Sequence, residues 1–288
     1  MSVVILALFS CTEEVPEIIE TEAPVSLMSI NLSGNKYEAD HGRQLKHNLT
    51  GIFVTIKQIS ILKDNEWIKI SGDFPQLVNL IELSNKECLL ASQEVEPGKY
   101  SEIKFDIEQG NDKVVVEGKG CYVKNEKGFI FSLKVPSSKI KVKGEFEVQA
   151  GLPHKLILDF DITESIIQLG NKEEYLLKPT IKLKMGNNIG FIRVVLADSF
   201  PKGKYKLLVY ESGNLVKENL VTKNAQTNSS ILFSAKINKE TENIIVPNLL
   251  DGKYDIYLAA DSNDSSLSDK ILTGVLVKSG IITKAVFN

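Results

Sequence analysis

The sequence predicts an all-β protein built from two consecutive β-sandwich domains. Apolar and polar residues alternate with a period of two in most segments, which indicates half-buried strands, and helical periodicity is nearly absent. The strands are short and are separated by Gly, Asn, Asp or Pro, a spacing typical of sandwiches. A chain of 288 residues with 43% apolar residues is long enough to build two cores of ordinary size.

The alternating segments place their apolar residues on one face of each predicted strand. In chain order these residues are Ile52, Val54 and Ile56; Ile140, Val142, Phe146 and Val148; Leu156, Leu158, Phe160 and Ile162; Tyr205, Leu207 and Val209; Ile231, Phe233, Ala235 and Ile237; Tyr254, Ile256 and Leu258; and those of the terminal segment 281–287. One segment differs, because Leu77, Leu80 and Ile81 recur at helical spacing. It predicts one short helix or turn within 77–83.

The tripeptide Gly-Lys-Tyr occurs three times, at 98–100, 203–205 and 252–254, each time at the start of an alternating segment. Glycine permits the positive φ of a tight turn. A tyrosine that enters the strand buries its ring and keeps its hydroxyl near the rim, where a backbone group or water can bind it. We therefore interpret the three copies as structural corners of transthyretin- or immunoglobulin-like sandwiches.

The amino end carries a short apolar run, residues 3–10, which is followed by Cys11 and an acidic stretch. The run is far shorter than the roughly 20 residues that a membrane-spanning helix needs. No Lys or Arg precedes it, although a secretory leader is normally basic there. Leu8-Phe9-Ser10-Cys11 resembles a lipobox, at which a signal peptidase cuts before a cysteine that then carries lipid. We predict a lipoprotein signal peptide at 1–10 and a lipidated cysteine with an acidic linker at 11–24; the alternative is a frayed amino end with an incidental cysteine.

The charge balance restricts the partners. The formal net charge is −3, lysines alternate with acids along most segments, and no basic stripe is present. These features exclude nucleic acid as an expected partner. The expected partners are the membrane, through the lipid anchor, and an envelope protein or a glycan.

Two cysteines remain besides Cys11, namely Cys88 and Cys121. An exported protein meets an oxidising compartment, so these two could form a disulfide. The alternative is that they are two separate small apolar residues. Neither has a His or a second Cys at ligand spacing, and we predict no metal site and no cofactor.

No set of residues has the pattern of an active site, and we predict no catalytic residues. The histidines, His41, His47 and His154, are scattered along the chain. Asp159 and Asp161 share one face of a predicted strand, where they either face solvent, bind Ca²⁺ or act as an acid/base pair.

Trp67, the only tryptophan, is the candidate ligand platform, because exposed aromatic rings are typical of sugar-binding surfaces. Its alternating segment allows it to point either into the core or towards solvent. The oxygen-rich stretch 261–264 is either a calcium-binding loop or a solvated hairpin loop.

Residues 25–185 follow, in order, the pattern of a recognised but uncharacterised domain. The residues that carry the likeness are Val54-Thr55-Ile56, Trp67, Leu77, Leu80, Leu83, Pro97-Gly98-Lys99-Tyr100, Ile103, Val135-Pro136-Ser137, Phe146, Ala150-Gly151, Leu156 to Asp161 and Tyr175 to Ile181. The segment resembles a domain of unknown function of bacterial and archaeal exported lipoproteins. That resemblance implies a β-sandwich and an envelope location, but no activity and no functional residues. Residues 186–288 resemble, more loosely and through 246–254, the transthyretin-like or carboxypeptidase-regulatory-like sandwich.

These observations lead us to expect a non-enzymatic, lipid-anchored cell-envelope protein, at the outer membrane or the cell surface, that serves as a structural or adhesive interaction module. The alternative is a glycan- or small-ligand-binding accessory lipoprotein of an uptake system, which would present an aromatic platform or a loop pocket. An enzyme is the third hypothesis, and it would need acids gathered in a cleft with shifted pKa values.

Overall fold

The computed structural model describes residues 26–35, 49–84, 86–110, 114–170, 174–197, 199–213, 231–260 and 269–288. Nearly all of its regular structure is β. In chain order the strands are β1 (Ser26–Gly34), β2 (Leu49–Lys63), β3 (Glu66–Ile70), β4 (Gln76–Asn79), β5 (Glu87–Val95), β6 (Gly98–Glu108), β7 (Tyr122–Asn125), β8 (Ile130–Lys134), β9 (Lys139–Val148), β10 (Pro153–Phe160), β11 (Ile166–Gln168), β12 (Tyr175–Leu177), β13 (Ile181–Gly186), β14 (Gly190–Leu196), β15 (Tyr205–Glu211), β16 (Phe233–Ile237), β17 (Asn243–Leu249), β18 (Gly252–Ala260), β19 (Lys270–Val277) and β20 (Ile282–Phe287). The two short helices are a 3₁₀ helix (Leu80–Leu83) and α1 (Ile162–Ser165).

The strands form four sheets, so the predicted all-β sandwich class is confirmed. Sheet I has the order β13-β10-β1-β5, and sheet II has the order β11-β12-β8-β7-β2-β6-β9, with β3 and β4 also paired to β2. Sheet III has the order β17-β14-β20, and sheet IV has the order β16-β15-β18-β19. Three pairs of the described strands are parallel: β1 with β10, β8 with β12, and β14 with β20.

Sheets I and II enclose one continuous apolar core. Met28, Ile30 and Leu32 alternate along β1 and point inward, where they join Ile59 and Ile61 of β2. The apolar residues predicted for the segments 140–148 and 156–160 lie in the same core. The period-two pattern places them there because alternate side chains of a strand point to opposite faces.

Sheets III and IV enclose a second core. Ile192 and Val194 of β14 meet Leu207 and Val209 of β15, and Ile256 of β18 lies among them. The terminal strand β20 contributes to the same core and pairs with β14 along its length. The alternation predicted in this part of the chain therefore corresponds to strands that each bury one face.

Two of the Gly-Lys-Tyr tyrosines form the predicted corners. The Tyr100 hydroxyl donates to the carbonyl oxygen of Glu96 at 2.7 Å, and the Tyr254 hydroxyl donates to that of Leu250 at 2.8 Å. Tyr205, from the third copy, is buried and packs against the Phe200 ring, with centroids 4.9 Å apart. Each ring is anchored in a core while the tripeptide turns the chain into a strand.

Two local predictions needed refinement. The helix predicted within 77–83 is limited to the 3₁₀ turn at Leu80–Leu83, which Asn79 caps by accepting a hydrogen bond from the Ile81 amide. Leu77 lies instead in β4, with its side chain 41% exposed. At the end of β10, Ile162 begins α1 and does not extend the strand, because the Asp161 side chain caps that turn.

Candidate interaction surfaces

The outer faces of sheets I and III meet in a buried junction. Leu27, which points away from the first core, packs in one apolar cluster with Ile189, Phe191 and Ile245, and Ile282 lies against them. Leu27 and Phe191 are fully buried. The two sandwiches are therefore joined by a packed apolar contact as well as by the covalent link at 187–189.

A closed ring of hydrogen bonds lies beside this apolar cluster. Ser29 Oγ donates to Asn248 Oδ1 at 2.7 Å, Asn248 Nδ2 donates to Asn31 Oδ1 at 2.8 Å, and Asn31 Nδ2 donates to Ser29 Oγ at 3.2 Å. Ser29 and Asn31 are buried, and Asn248 adopts a φ of 61°. Asparagine is one of the few residues with a side chain that tolerates this conformation. The ring fixes β1 against β17 because the half-buried Asn248 side chain satisfies the buried polar groups of Ser29 and Asn31.

An ion pair completes the junction. Arg193 Nη2 lies 2.7 Å from Glu94 Oε1, and the two side chains are only 17% and 35% exposed. Because Glu94 lies on β5 and Arg193 on β14, the pair joins an edge strand of sheet I to the central strand of sheet III. Removing either partner would leave a charge poorly solvated inside the junction.

Trp67 lies on the outer face of sheet II and not in the core. Its neighbour Ile68 packs on the first core and Ile70 is buried, so alternation turns Trp67 outward. Two ammonium groups cover its ring: Lys104 Nζ is 4.4 Å and Lys141 Nζ is 5.5 Å from the ring centroid. The predicted platform therefore carries two cations and is not a bare aromatic surface.

The same face holds a row of lysines that crosses four strands. Lys69 of β3 pairs with Ser60 of β2, Ser60 pairs with Lys104 of β6, and Lys104 pairs with Lys141 of β9. The neighbouring row ends at Lys143, which pairs with Glu102. We call the surface formed by Trp67, Lys69, Lys104, Lys141 and Lys143 the lysine face.

Cys88 and Cys121 are both free thiols in the structure, so the disulfide that we considered does not form there. Cys88 lies on β5 of sheet I, whereas Cys121 precedes β7 of sheet II and donates to the Glu108 carbonyl at 3.3 Å. This arrangement agrees with the alternative prediction, in which the two cysteines are separate small apolar residues. Burial raises the pKa of the Cys121 thiol to about 11.

The acids that we considered as a pair have separate structural roles. The Asp159 carboxylate binds the Lys184 ammonium and accepts from Ser33 Oγ at 3.1 Å. Asp161 caps α1 and accepts from Asn35 Nδ2 at 2.9 Å. Their carboxylates serve different neighbours, which does not support an acid/base or calcium site.

A buried carboxylate that the sequence did not single out is also structural. Asp255 is 5% exposed, and its oxygens accept from Ser212 Oγ, the Gly213 amide and the Gly274 amide at 2.9, 3.2 and 2.9 Å. It ties the turn after β15 to the bulge in β19. The sequence feature that could have identified Asp255 is its position as an isolated acid within the apolar stretch 254–260. The groups that donate to it are known only from the fold.

Within the ranges that the structure describes, no three His, Cys, Asp or Glu side chains cluster as metal ligands. No helix in those ranges has both the length and the apolar character to cross a bilayer. His154 accepts from the Gln149 amide at 2.9 Å in a turn. Cys11, the leader and linker, His41, His47 and the stretch 261–264 lie outside the described residues.

The sequence did not identify the junction residues Asn31 and Asn248 or the lysines that cover Trp67. Alternation alone turns Lys141 and Lys143 outward, and that was the available signal for them. It could not say that β9 lies beside β6, which is what brings Lys141 to Lys104. The alternation of apolar and polar residues in β1 is also typical of a strand with one solvent face, so it does not mark Asn31 as a contact residue.

The geometry defines the class as a tandem β-sandwich protein whose outer sheet faces carry its distinctive contacts. Residues 43–179 match the model of a family described as a domain of unknown function (DUF4382). The resemblance predicted for residues 25–185 is therefore confirmed over the matched residues.

Solved structures with similar arrangements are distant. The Bacillus anthracis TIE protein is 10% identical, with a TM-score of 0.25, over 92% of this chain and 34% of that one. A fimbrial protein from Bacteroides ovatus is 8% identical, with a TM-score of 0.20, over 93% of this chain and 49% of that one. The fimbrial anchor protein Mfa2 from Porphyromonas gingivalis is 9% identical, with a TM-score of 0.20, over 86% and 83% of the two chains.

The chain spans about a third and about half of the length of the first two of these proteins. Among curated proteins, none matches the chain. The family match is limited to residues 43–179 and gives no substrate or partner.

Proposed function

We propose that the chain is a lipid-anchored cell-envelope protein that serves as a rigid structural or adhesive module and not as an enzyme. The observation that carries this proposal is the junction between the sandwiches. The Ser29–Asn248–Asn31 ring and the apolar contact of Leu27 with Phe191 join two cores into one body. Such a body can hold a binding face on one sandwich at a fixed orientation relative to the other sandwich.

The apolar run that ends at Cys11 supports the attachment point. Lipid on that cysteine would hold the protein at a membrane, because several acyl chains on one residue give stable anchoring. Fourteen residues separate Cys11 from Ser26, the first residue of β1. A fully extended segment of that length reaches about 50 Å, enough to hold the sandwiches clear of the lipid headgroups.

The roles of the acids support a non-enzymatic function. Asp159, Asp161 and Asp255 are each bound to neighbouring donors of the fold. A general acid or base needs a carboxyl that is directed into a cleft and has a pKa suited to proton transfer. These three carboxylates are instead used to fix a strand, a helical turn and two loops.

The anchor can be tested by fractionating a Gram-negative host that expresses the full chain. We expect the protein in the outer-membrane fraction and expect Cys11→Ala to move it to the soluble fraction. Cys88→Ala is the matched control, because it removes a different thiol and should leave the distribution unchanged. A Cys11→Ala protein that stays equally membrane-bound would refute the anchor.

A further inference from the structure

The charges along the outward side of β9 are segregated and not interleaved. Along β9 the outward residues are Lys139, Lys141 and Lys143 at one end and Glu145 and Glu147 at the other. An alternating order would let neighbours neutralise one another. Segregation instead leaves the half of β9 beside Trp67 positively charged.

The lysine face keeps a net positive charge after its internal pairing. Its four lysines surround Glu102, and the next cross-strand pair on the same side is Asp106 with Lys139. These five lysines and two acids give a formal charge of +3 (five minus two). Glu102 Oε1 lies 3.7 Å from Lys141 Nζ and is largely buried, with its side chain 12% exposed. It lies near Lys141 and directly opposite Lys143, and its single charge offsets one of the lysine charges.

Lys104 and Lys141 lie directly opposite each other across β6 and β9. Like charges at directly opposed positions destabilise a sheet. The Trp67 ring compensates in part, because its face attracts both ammonium groups. A bound anion would compensate further, and a local arrangement that disagrees with the rest of the fold is a common mark of a functional surface.

We infer that the lysine face binds an acidic polysaccharide that carries carboxylates. The lysines stand on strands spaced about 4.8 Å apart, so Lys69, Lys104 and Lys141 present cations at intervals of about 5 and 10 Å along one row. A linear polymer with one carboxylate per sugar or per disaccharide can follow such a row. Trp67 is half-buried, and its ring holds the Lys104 and Lys141 ammonium groups on this face, where a carboxylate can reach them.

This inference names a partner for the proposed envelope module, and binding in solution does not depend on the lipid anchor. The test uses the full chain with Cys11→Ala and measures its affinity for polygalacturonate, with dextran as the neutral polymer. We expect binding to polygalacturonate at 50 mM NaCl, a loss of about tenfold or more at 300 mM NaCl because salt screens the charges, and none to dextran. Lys104→Gln with Lys141→Gln should weaken binding about tenfold or more, and Trp67→Leu should weaken it while leaving the salt dependence in place.

Lys206 and Lys236 provide the matched control, because they also lie directly opposite each other, on β15 and β16, but belong to sheet IV. Lys206→Gln with Lys236→Gln removes the same charge and should leave the affinity unchanged. Circular dichroism and thermal unfolding of each variant serve as the control for folding. Equal losses in the two double variants, or equal binding to poly-glutamate, would reduce the effect to net charge and overturn the inference.

Anionic phospholipid vesicles form the last arm of the test. Binding to phosphatidylglycerol vesicles without binding to polygalacturonate would assign the face to a membrane surface and also overturn the inference. Failure of the anchor test with binding intact would instead refute only the proposed attachment. The two proposals can therefore fail separately.

Discussion

Asn248 Nδ2 donates a 2.8 Å hydrogen bond to Asn31 Oδ1, although the two residues lie 217 positions apart in the chain. Asn31 belongs to β1 of the first sandwich and Asn248 to β17 of the second. Through this contact, the polar face of β1 binds the second sandwich specifically. It also makes the arrangement of the two sandwiches sensitive to a single side chain.

Asn248→Gly and Asn248→Ala should separate the two contributions of this residue. Glycine keeps the φ of 61° but deletes the hydrogen bonds, and we expect a loss of about 1–3 kcal/mol because Ser29 and Asn31 stay buried without this partner. Alanine should cost about 1 kcal/mol more, because it also disfavours a left-handed backbone. Urea unfolding of both variants gives the measurement, and equal stability of Asn248→Gly and the parent would contradict the role of the ring.

The corner tyrosines give a second prediction. Tyr100→Phe and Tyr254→Phe each remove one hydroxyl–carbonyl hydrogen bond, and each should lower the free energy of unfolding by about 1 kcal/mol. The two losses should add, because the rings lie in separate cores. Lys99→Gln and Lys253→Gln are the controls from the same tripeptides, and these exposed substitutions should change stability by less than about 0.5 kcal/mol. Losses no larger than those of the lysine controls would contradict the corner interpretation.

The loss of folding stability at acidic pH should depend on Asp159. The hydrogen bond from Lys184, together with that from Ser33, lowers the pKa of the Asp159 carboxyl below its usual range. A folded pKa below the unfolded one gives stability that is complete above the unfolded value, near 3.9, and is lost as the pH falls through the folded value. Asp159→Asn should flatten the pH profile below about pH 4, by well under 1 kcal/mol because the pair is partly exposed.

Lys184→Gln should flatten the same part of the pH profile, because it removes the group chiefly responsible for the shift. The measurement is thermal unfolding from pH 2 to pH 7 for the parent and both variants. A pH profile that is unchanged at acidic pH in both would show that the pair does not influence stability.

Thiol labelling should distinguish the two remaining cysteines in a Cys11→Ala background. Thiolate is the reactive form, and a pKa of about 11 combined with full burial should protect Cys121 in the native protein at pH 8. Cys88 is only half-buried and should react first. After denaturation without reductant, mass spectrometry should find both thiols alkylated. A product 2 Da lighter, with neither thiol alkylated, would show that Cys88 and Cys121 form a disulfide.

Within each sandwich, the sequence was informative because alternation depends only on near neighbours. The segment 140–148 buries Ile140, Val142, Phe146 and Val148, as its period predicts. Where a side chain competes for the backbone, the period failed. The Asp161 side chain accepts a hydrogen bond from the Glu164 amide. This cap starts a helical turn at Ile162, so the strand does not continue there.

Contacts between distant strands could not be predicted from the pattern. Trp67 meets Lys104 and Lys141 only because β3, β2, β6 and β9 are successive neighbours in sheet II. In the same way, Ser29 and Asn31 resemble solvent-facing residues until the second sandwich covers them. The strand faces could be inferred from the sequence, whereas the strand order and the partner of each face could not.

The most direct test of the account is the mass of the amino-terminal peptide of the full chain, purified from a Gram-negative host that processes lipoproteins. We predict a mature protein that begins at Cys11 and carries covalent acyl chains on that residue. A product that retains residues 1–10 and an unmodified Cys11 would contradict the proposed anchor.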